Sequence, residues 1–146
     1  MREIKYIVIH CSATKETVDY SFSQLVADHQ RRGFKTCGYN IYIKRNGQTY
    51  LGRNFGEELA HAKGYNNNSF AICYEGGLDP SSSPKDTRTP QQKQALISAI
   101  LFCKLLAPNA QVLGHRDLSP DVDGDGQIEP NEWLKSCPCF NVKDEF

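Results

Sequence analysis

The sequence predicts a single α/β domain in which a central mixed β-sheet is flanked by helices. The 146 residues suffice for one hydrophobic core with helices packed on a sheet, and they are too few for two ordinary domains. Short runs rich in β-branched and aromatic residues predict strands. Longer segments with apolar residues at helical spacing predict amphipathic helices. We therefore expect one domain that covers residues 1–146.

The first half of the chain predicts a strand, a helix and a hairpin, in that order. Residues 5–9 form a β-branched and aromatic run, which predicts a buried strand with His10 at its C-terminal end. Residues 21–33 carry apolar side chains at helical spacing between an N-capping serine and a terminal glycine, which predicts an amphipathic helix. Residues 39–53 predict a hairpin, because they contain Asn46-Gly47, the pair that a type I′ turn favours.

The second half predicts another strand, the longest helix and a short final strand. Residues 69–74 predict a buried strand. Thr89, an N-cap that is followed by proline, opens a helix that ends before Pro108. Residues 111–113 predict the last strand, which leads to His115. The positions of the long helix that we expect to be buried are Ala95, Leu96, Ala99, Ile100, Phe102, Cys103 and Leu106.

Charge and apolar composition exclude several kinds of partner. Lys plus Arg and Asp plus Glu number 17 each, so no excess positive charge attracts a nucleic-acid backbone or an anionic membrane. The longest apolar run near the N-terminus, residues 7–9, is far shorter than the core of a secretory signal, and no stretch approaches a membrane span. We expect no nucleic-acid partner, no membrane insertion and no signal peptide.

The six cysteines fall into two groups. Cys137 and Cys139 flank Pro138 in a polar turn, where a metal ligand and a disulfide are both natural interpretations. The other four lie within or just before apolar segments, where free cysteine behaves as a small hydrophobic residue, and they are Cys11, Cys37, Cys73 and Cys103.

Two histidines and one cysteine form a candidate metal site. His10 and His115 each follow a predicted strand, at the edge where open α/β sheets keep their ligands. Either histidine alone would more ordinarily be a hydrogen-bonded structural residue. Together with Cys137, they would give a tetrahedral zinc ion three ligands and leave one position for water, as a catalytic site requires. Their spacing along the chain does not itself show that they meet.

Five motifs carry a resemblance to a known family. They are IVIHCSAT at 7–14, GYNIYIKRNGQTYLGR at 38–53, HAKGYNNNS at 61–69, LGHRD at 113–117 and KSCPCF at 135–140. In this order the chain resembles the zinc-dependent N-acetylmuramoyl-L-alanine amidases, which include small phage amidase-type lysozymes and peptidoglycan recognition proteins. The resemblance implies the fold of that family, with a mixed sheet flanked by helices.

The resemblance also implies roles for individual residues. In that family the residues equivalent to His10, His115 and Cys137 hold zinc, and those equivalent to Tyr39 and Lys135 assist catalysis. Amide hydrolysis needs an activated water, stabilisation of the oxyanion and a proton for the leaving amine, and these groups can supply all three. Without the resemblance, Tyr39 would be an ordinary cross-strand aromatic residue and Lys135 a solvated surface lysine.

Two further residues have a less specific interpretation. The resemblance suggests that His61 flanks the substrate cleft, whereas its position in a loop alone also allows a surface residue with no role. Asn40 stands where some of the phage enzymes have a histidine. Because asparagine also follows the equivalent tyrosine in many relatives, this difference does not count against activity.

Residues 121–132 match the twelve-residue EF-hand pattern, with aspartates at positions 1, 3 and 5, glycine at 6 and glutamate at 12. Pro120 prevents a regular entering helix, and a solvated acidic turn is the alternative. Bound calcium would start a turn or helix at residues 133–134 and fix the directions of Lys135 and Cys137. The expected ligands are Asp121, Asp123, Asp125, the carbonyl of Gln127, Glu129 through water and bidentate Glu132.

The function that we expect is zinc-dependent hydrolysis of the amide bond between N-acetylmuramic acid and L-alanine in peptidoglycan, for cell-wall lysis or remodelling. The alternatives are a non-catalytic peptidoglycan-binding module and a calcium-dependent interaction module. Binding modules of the family typically lack the cysteine ligand, whereas Cys137 is present here. We expect a monomer made in the cytoplasm, as a phage or prophage lysin would be, which acts on the wall after phage-type release or another delivery.

Overall fold

The computed structural model describes residues 2–146. Within these residues the chain forms two helices and seven strands, with short 3-10 turns near the C-terminus. The helices are α1 (Phe22–Arg31) and α2 (Pro90–Leu106). The strands are β1 (Tyr6–Cys11), β2 (Thr14–Lys15), β3 (Ile41–Ile43), β4 (Thr49–Leu51), β5 (Ser69–Tyr74), β6 (Gly77–Leu78) and β7 (Gln111–Gly114).

The main sheet has five strands in the order β4-β3-β5-β1-β7. Strands β3, β5, β1 and β7 are parallel to one another, and β4 is antiparallel to β3, so the predicted mixed sheet is confirmed. Strands β2 and β6 form a separate parallel pair of two residues each, too short to leave a pattern in the sequence. Within the described residues, no helix has the length and apolar composition of a membrane span.

The two faces of the sheet bury different sets of residues. Because side chains alternate along a strand, Ile7 and Ile9 of β1 face the core beneath α2. Tyr42 and Cys73, on β3 and β5, instead join the smaller cluster that α1 covers. His10 pairs with Cys73 in the parallel register, so its side chain lies on the α1 face. This face of the sheet carries the candidate site.

The helix boundaries follow the predicted caps, but the buried face of α2 is narrower than predicted. The Thr89 Oγ1 accepts a hydrogen bond from the Gln92 N–H, and the Gln92 Oε1 accepts one from the Thr89 N–H. Phe102 and Leu106 are 46% and 51% exposed, so their predicted burial was wrong. The helix contacts the sheet through one side only, and these two residues lie beyond it. The buried apolar positions are Leu96, Ala99, Ile100 and Cys103.

The hairpin is confirmed, but its turn is not of the predicted type. A type I′ turn needs positive φ at both central residues, and of the pair only Gly47 has it, at 87°. The Gly47 N–H donates to the Lys44 carbonyl at 2.8 Å, and the Lys44 N–H donates to the Gln48 carbonyl at 2.9 Å. The connection is therefore a three-residue loop with a left-handed glycine at its end.

Candidate metal centre and active-site cleft

The parallel sheet brings the two predicted histidine ligands together. His10 is the penultimate residue of β1, and His115 follows β7 directly. Because β1 and β7 are parallel neighbours, their carboxyl ends lie at the same edge, and the ring centroids of the two histidines are 4.5 Å apart. His10 is 1% exposed, whereas His115 is half-buried and opens to the cleft.

The C-terminal turn delivers the cysteine to the same place. The Cys137 carbonyl accepts a hydrogen bond from the Arg116 N–H at 2.9 Å, and the Cys137 Sγ accepts one from the Cys11 N–H at 3.2 Å. The Sγ lies 3.8 Å from His10 Nδ1. One donor atom from each of His10, His115 and Cys137 lies within 4.8 Å of the other two.

These donors fit a zinc ion. Imidazole nitrogen and thiolate sulfur bind zinc at about 2.0–2.1 Å and about 2.3 Å, so donors 3.8 Å apart can share one ion. Burial lowers the pKa of His10 well below 6.5, and burial followed by the charge of Lys135 lowers that of His115 to about 4. Both rings are therefore neutral near pH 7, which is the form that binds a metal.

A cleft of about 420 Å³ opens over these donors. Tyr39 lines it, with its ring centroid 4.9 Å from that of His10, and burial raises the pKa of Tyr39 well above 10. Its phenol therefore keeps its proton. Lys135 is exposed at the rim, and its charge acts on both His10 and His115. Arg32 and Lys63 also line the cleft, although nothing in their local sequence pattern indicated this.

The profile of a family described as N-acetylmuramoyl-L-alanine amidase matches residues 1–138. The chain belongs to the N-acetylmuramoyl-L-alanine amidase family. The endolysin of Klebsiella phage KP32 is 33% identical to this amidase over 142 residues, which cover 97% of this chain and 85% of the endolysin. The predicted family and enzyme class are thereby confirmed.

Two solved structures share the fold of the amidase. The N-acetylmuramoyl-L-alanine amidase LysC from Clostridium intestinale URNW superposes with a TM-score of 0.74 at 23% identity, over 99% of this chain and 82% of LysC. A point mutant of Drosophila PGRP-LB, in complex with tracheal cytotoxin, superposes with a TM-score of 0.71 at 25% identity, over 99% of this chain and 80% of that chain. The predicted fold class is confirmed.

In this amidase His61 both lines the cleft and bonds to His10, one of the predicted ligands. Its Nδ1 lies 2.7 Å from His10 Nε2, and its Nε2 lies 2.7 Å from the Ser69 Oγ. Burial followed by the charge of His115 lowers the pKa of His61 to about 3. Ser69 gave no functional signal in the sequence, because it resembles any other small residue at the start of a strand.

Asn40 has a structural role in the amidase. Its Oδ1 accepts a hydrogen bond from the Ala71 N–H at 3.0 Å, and its Nδ2 donates to the Arg53 carbonyl at 3.0 Å. The side chain is fully buried and holds the start of β3 against β5. The directly preceding residue is Tyr39, so these bonds fix the backbone from which the tyrosine enters the cleft.

In the acidic loop of the amidase, residues 121–132, backbone N–H groups donate hydrogen bonds to carboxylates of the same loop. Glu132 is 7% exposed, and its oxygens accept hydrogen bonds from the N–H groups of Val122, Asp123 and Glu129. Donor oxygens of Asp121, Asp123 and Glu132 lie within 4.8 Å of one another. A second group of donor oxygens comes from Asp123, Asp125 and Glu129.

The end of this loop contacts the segment that carries His115. The guanidinium of Arg116 lies 3.7 Å over the Trp133 ring, and the Leu134 N–H donates to the Ser119 Oγ at 3.1 Å. A 3-10 turn at Pro130–Glu132 directly precedes residues 133–134, because proline presets the first position of a helical turn.

Proposed function

We propose that this amidase uses a zinc ion held by His10, His115 and Cys137 to hydrolyse the amide bond between N-acetylmuramic acid and L-alanine in peptidoglycan. The observation that carries the proposal is the convergence of two neutral imidazoles and one thiol beneath a cleft. The similarity to a phage endolysin and to a PGRP-LB structure in complex with tracheal cytotoxin supports peptidoglycan as the substrate. The cell wall would be reached by phage-type release or another delivery.

Zinc, when bound, supplies a Lewis acid and lowers the pKa of its water to about 7. The chain supplies the remaining groups. The Tyr39 phenol, which stays protonated, donates a hydrogen bond to the carbonyl oxygen as negative charge develops on it. The ammonium of Lys135 adds positive charge at the rim of the cleft. The leaving amine takes its proton from one of these two groups, and the proton that the attacking water loses restores it.

The test compares the wild-type protein with Cys137→Ser. The wild type should bind one zinc per chain and release stem peptides with a free L-alanine amino group from purified peptidoglycan. Serine is a poor zinc ligand, so Cys137→Ser should lose zinc and most of its activity while it still binds peptidoglycan. A non-catalytic binding module would instead give two proteins that bind peptidoglycan equally and release nothing. Wild-type hydrolysis by Cys137→Ser would refute the ligand assignment.

We propose a separate structural role for calcium in the loop at residues 121–132. The EF-hand pattern and the convergence of the Asp121, Asp123 and Glu132 oxygens support this role. Calcium would hold the loop in one conformation. The contacts of Trp133 with Arg116 and of Leu134 with Ser119 would then also fix the segment that carries His115. Calcium would thus stabilise the protein, whereas zinc would perform the chemistry.

A further inference from the structure

We propose that Ser69 and His61 form a hydrogen-bond relay that fixes the tautomer of His10, so that Nδ1 and not Nε2 of His10 is the metal-binding atom. The relay rests on the proposed zinc site, and it makes Ser69 and His61 positioning residues that act through a ligand. It gives His61 a role besides lining the substrate cleft.

The first step fixes the proton on His61. The Ser69 Oγ lies 2.6 Å from the Tyr65 carbonyl oxygen, which can only accept a hydrogen bond. The hydroxyl has one hydrogen, and this bond uses it. Ser69 must therefore accept the hydrogen bond from His61 Nε2, 2.7 Å away. His61 Nε2 consequently carries a hydrogen.

The second step passes this assignment to His10. A neutral imidazole has one N–H, so His61 Nδ1 is an acceptor. His10 Nε2 lies 2.7 Å from it and must donate, because two N–H groups that face each other at this distance cannot form a hydrogen bond. The lone pair of His10 is then on Nδ1, which is the atom that lies 3.8 Å from the Cys137 Sγ.

The sheet fixes the positions of Ser69 and His10, and the loop that precedes β5 fixes that of His61. Ser69 is completely buried at the start of β5, and His10 lies on the adjacent strand β1. The Asn66 Oδ1 accepts hydrogen bonds from the N–H groups of His61 and Ala62 at 2.8 and 3.0 Å. Asn66 therefore holds the backbone that carries the His61 ring, and turning the ring itself would break its hydrogen bonds to His10 and Ser69.

The relay has a measurable consequence for metal binding. A partner that accepts from the distal N–H of a ligand histidine orients the ring and makes the ligating nitrogen more basic, and loss of such a partner typically weakens metal binding about 10-fold to 100-fold. Ser69→Ala removes the far link, after which His61 is free to adopt the other tautomer. His61→Phe removes the near link and retains a flat ring of similar size.

The experiment measures the zinc dissociation constant of each variant by competition with a chromophoric chelator. Ile100→Val is the matched control, because it costs stability in the core beneath α2 and touches neither the cleft nor the relay. We expect a loss of affinity of about 10-fold to 100-fold in Ser69→Ala and in His61→Phe, and none in the control. The double variant should bind zinc no more weakly than His61→Phe, since both changes break one chain of bonds.

Long-range ¹H–¹⁵N spectra of the zinc-loaded wild type provide the second readout. We expect His10 to carry its proton on Nε2. A zinc-loaded protein with His10 protonated on Nδ1, or variants that bind zinc as tightly as the wild type, would overturn the relay and leave the zinc amidase standing. A wild type that binds no zinc would overturn the proposed function, and the relay with it.

Discussion

Gly114 directly precedes the proposed ligand His115, and replacing it with alanine should disturb the metal centre without changing a ligand. A Cβ at this position would lie 2.8 Å from Pro138 Cδ and 3.2 Å from Val142 Cγ2. Pro138, which directly follows Cys137, must therefore move by at least about 0.6 Å to restore the 3.4 Å at which ordinary contact begins. Zinc sites tolerate deviations of only about 0.2 Å in their bonds. The φ of Gly114 is −85°, so alanine brings no backbone strain.

We expect Gly114→Ala to lose about 1–3 kcal/mol of stability through overpacking. Its zinc affinity should fall about 10-fold or more, because Cys137 is displaced from the two histidines. Chelator competition and thermal unfolding of the metal-free protein measure the two effects. Gly56→Ala is the matched control, since it adds the same methyl group where nothing lies within 4 Å. If Gly114→Ala binds zinc as tightly as Gly56→Ala, the packing of Pro138 on Gly114 does not set the ligand spacing.

Three further predictions concern the catalytic groups, the acidic loop and the response to pH. Tyr39→Phe and Lys135→Ala should each lower kcat while zinc remains bound, since neither supplies a metal donor; loss of zinc from both would contradict their roles. Calcium should raise the melting temperature of the wild type. At a calcium concentration of a hundred times the Kd, the free energy of unfolding should rise by about 2.7 kcal/mol. Changing both Asp121 and Asp123 to Asn should abolish this rise and leave zinc bound, whereas a wild type indifferent to millimolar calcium would make the loop an acidic turn. Burial lowers the pKa of His29 from 6.5 to about 4, so the unfolded chain takes up a proton that the fold excludes, and the free energy of unfolding should fall as the pH drops through this range. His29→Gln should flatten that dependence in a urea titration at several pH values, and an unchanged slope would contradict it.

The sequence by itself determined the two helices with their caps and the strands of the main sheet. The apolar runs of β1 and β5, the capping box at Thr89 and the glycine of the hairpin are local patterns, and each depends on residues a few positions apart. For the same reason His10 and His115 could be placed at strand ends. The motif resemblance then supplied the family, which the match over residues 1–138 confirms.

Only the tertiary structure decided which of these residues meet. Cys137 reaches the histidines because Pro138 packs on Gly114 and because the Cys11 N–H donates a hydrogen bond to the Cys137 sulfur. The second contact joins residues more than a hundred positions apart in the chain. The bond between His61 and His10 likewise joins a loop to a strand that share no local pattern. Exposure of Phe102 depends on how α2 sits on the sheet, since a helical stripe shows where apolar residues lie but not how wide its contact is. Local spacing fixes secondary structure, whereas a site built across strands and turns is fixed by the packing that brings them together.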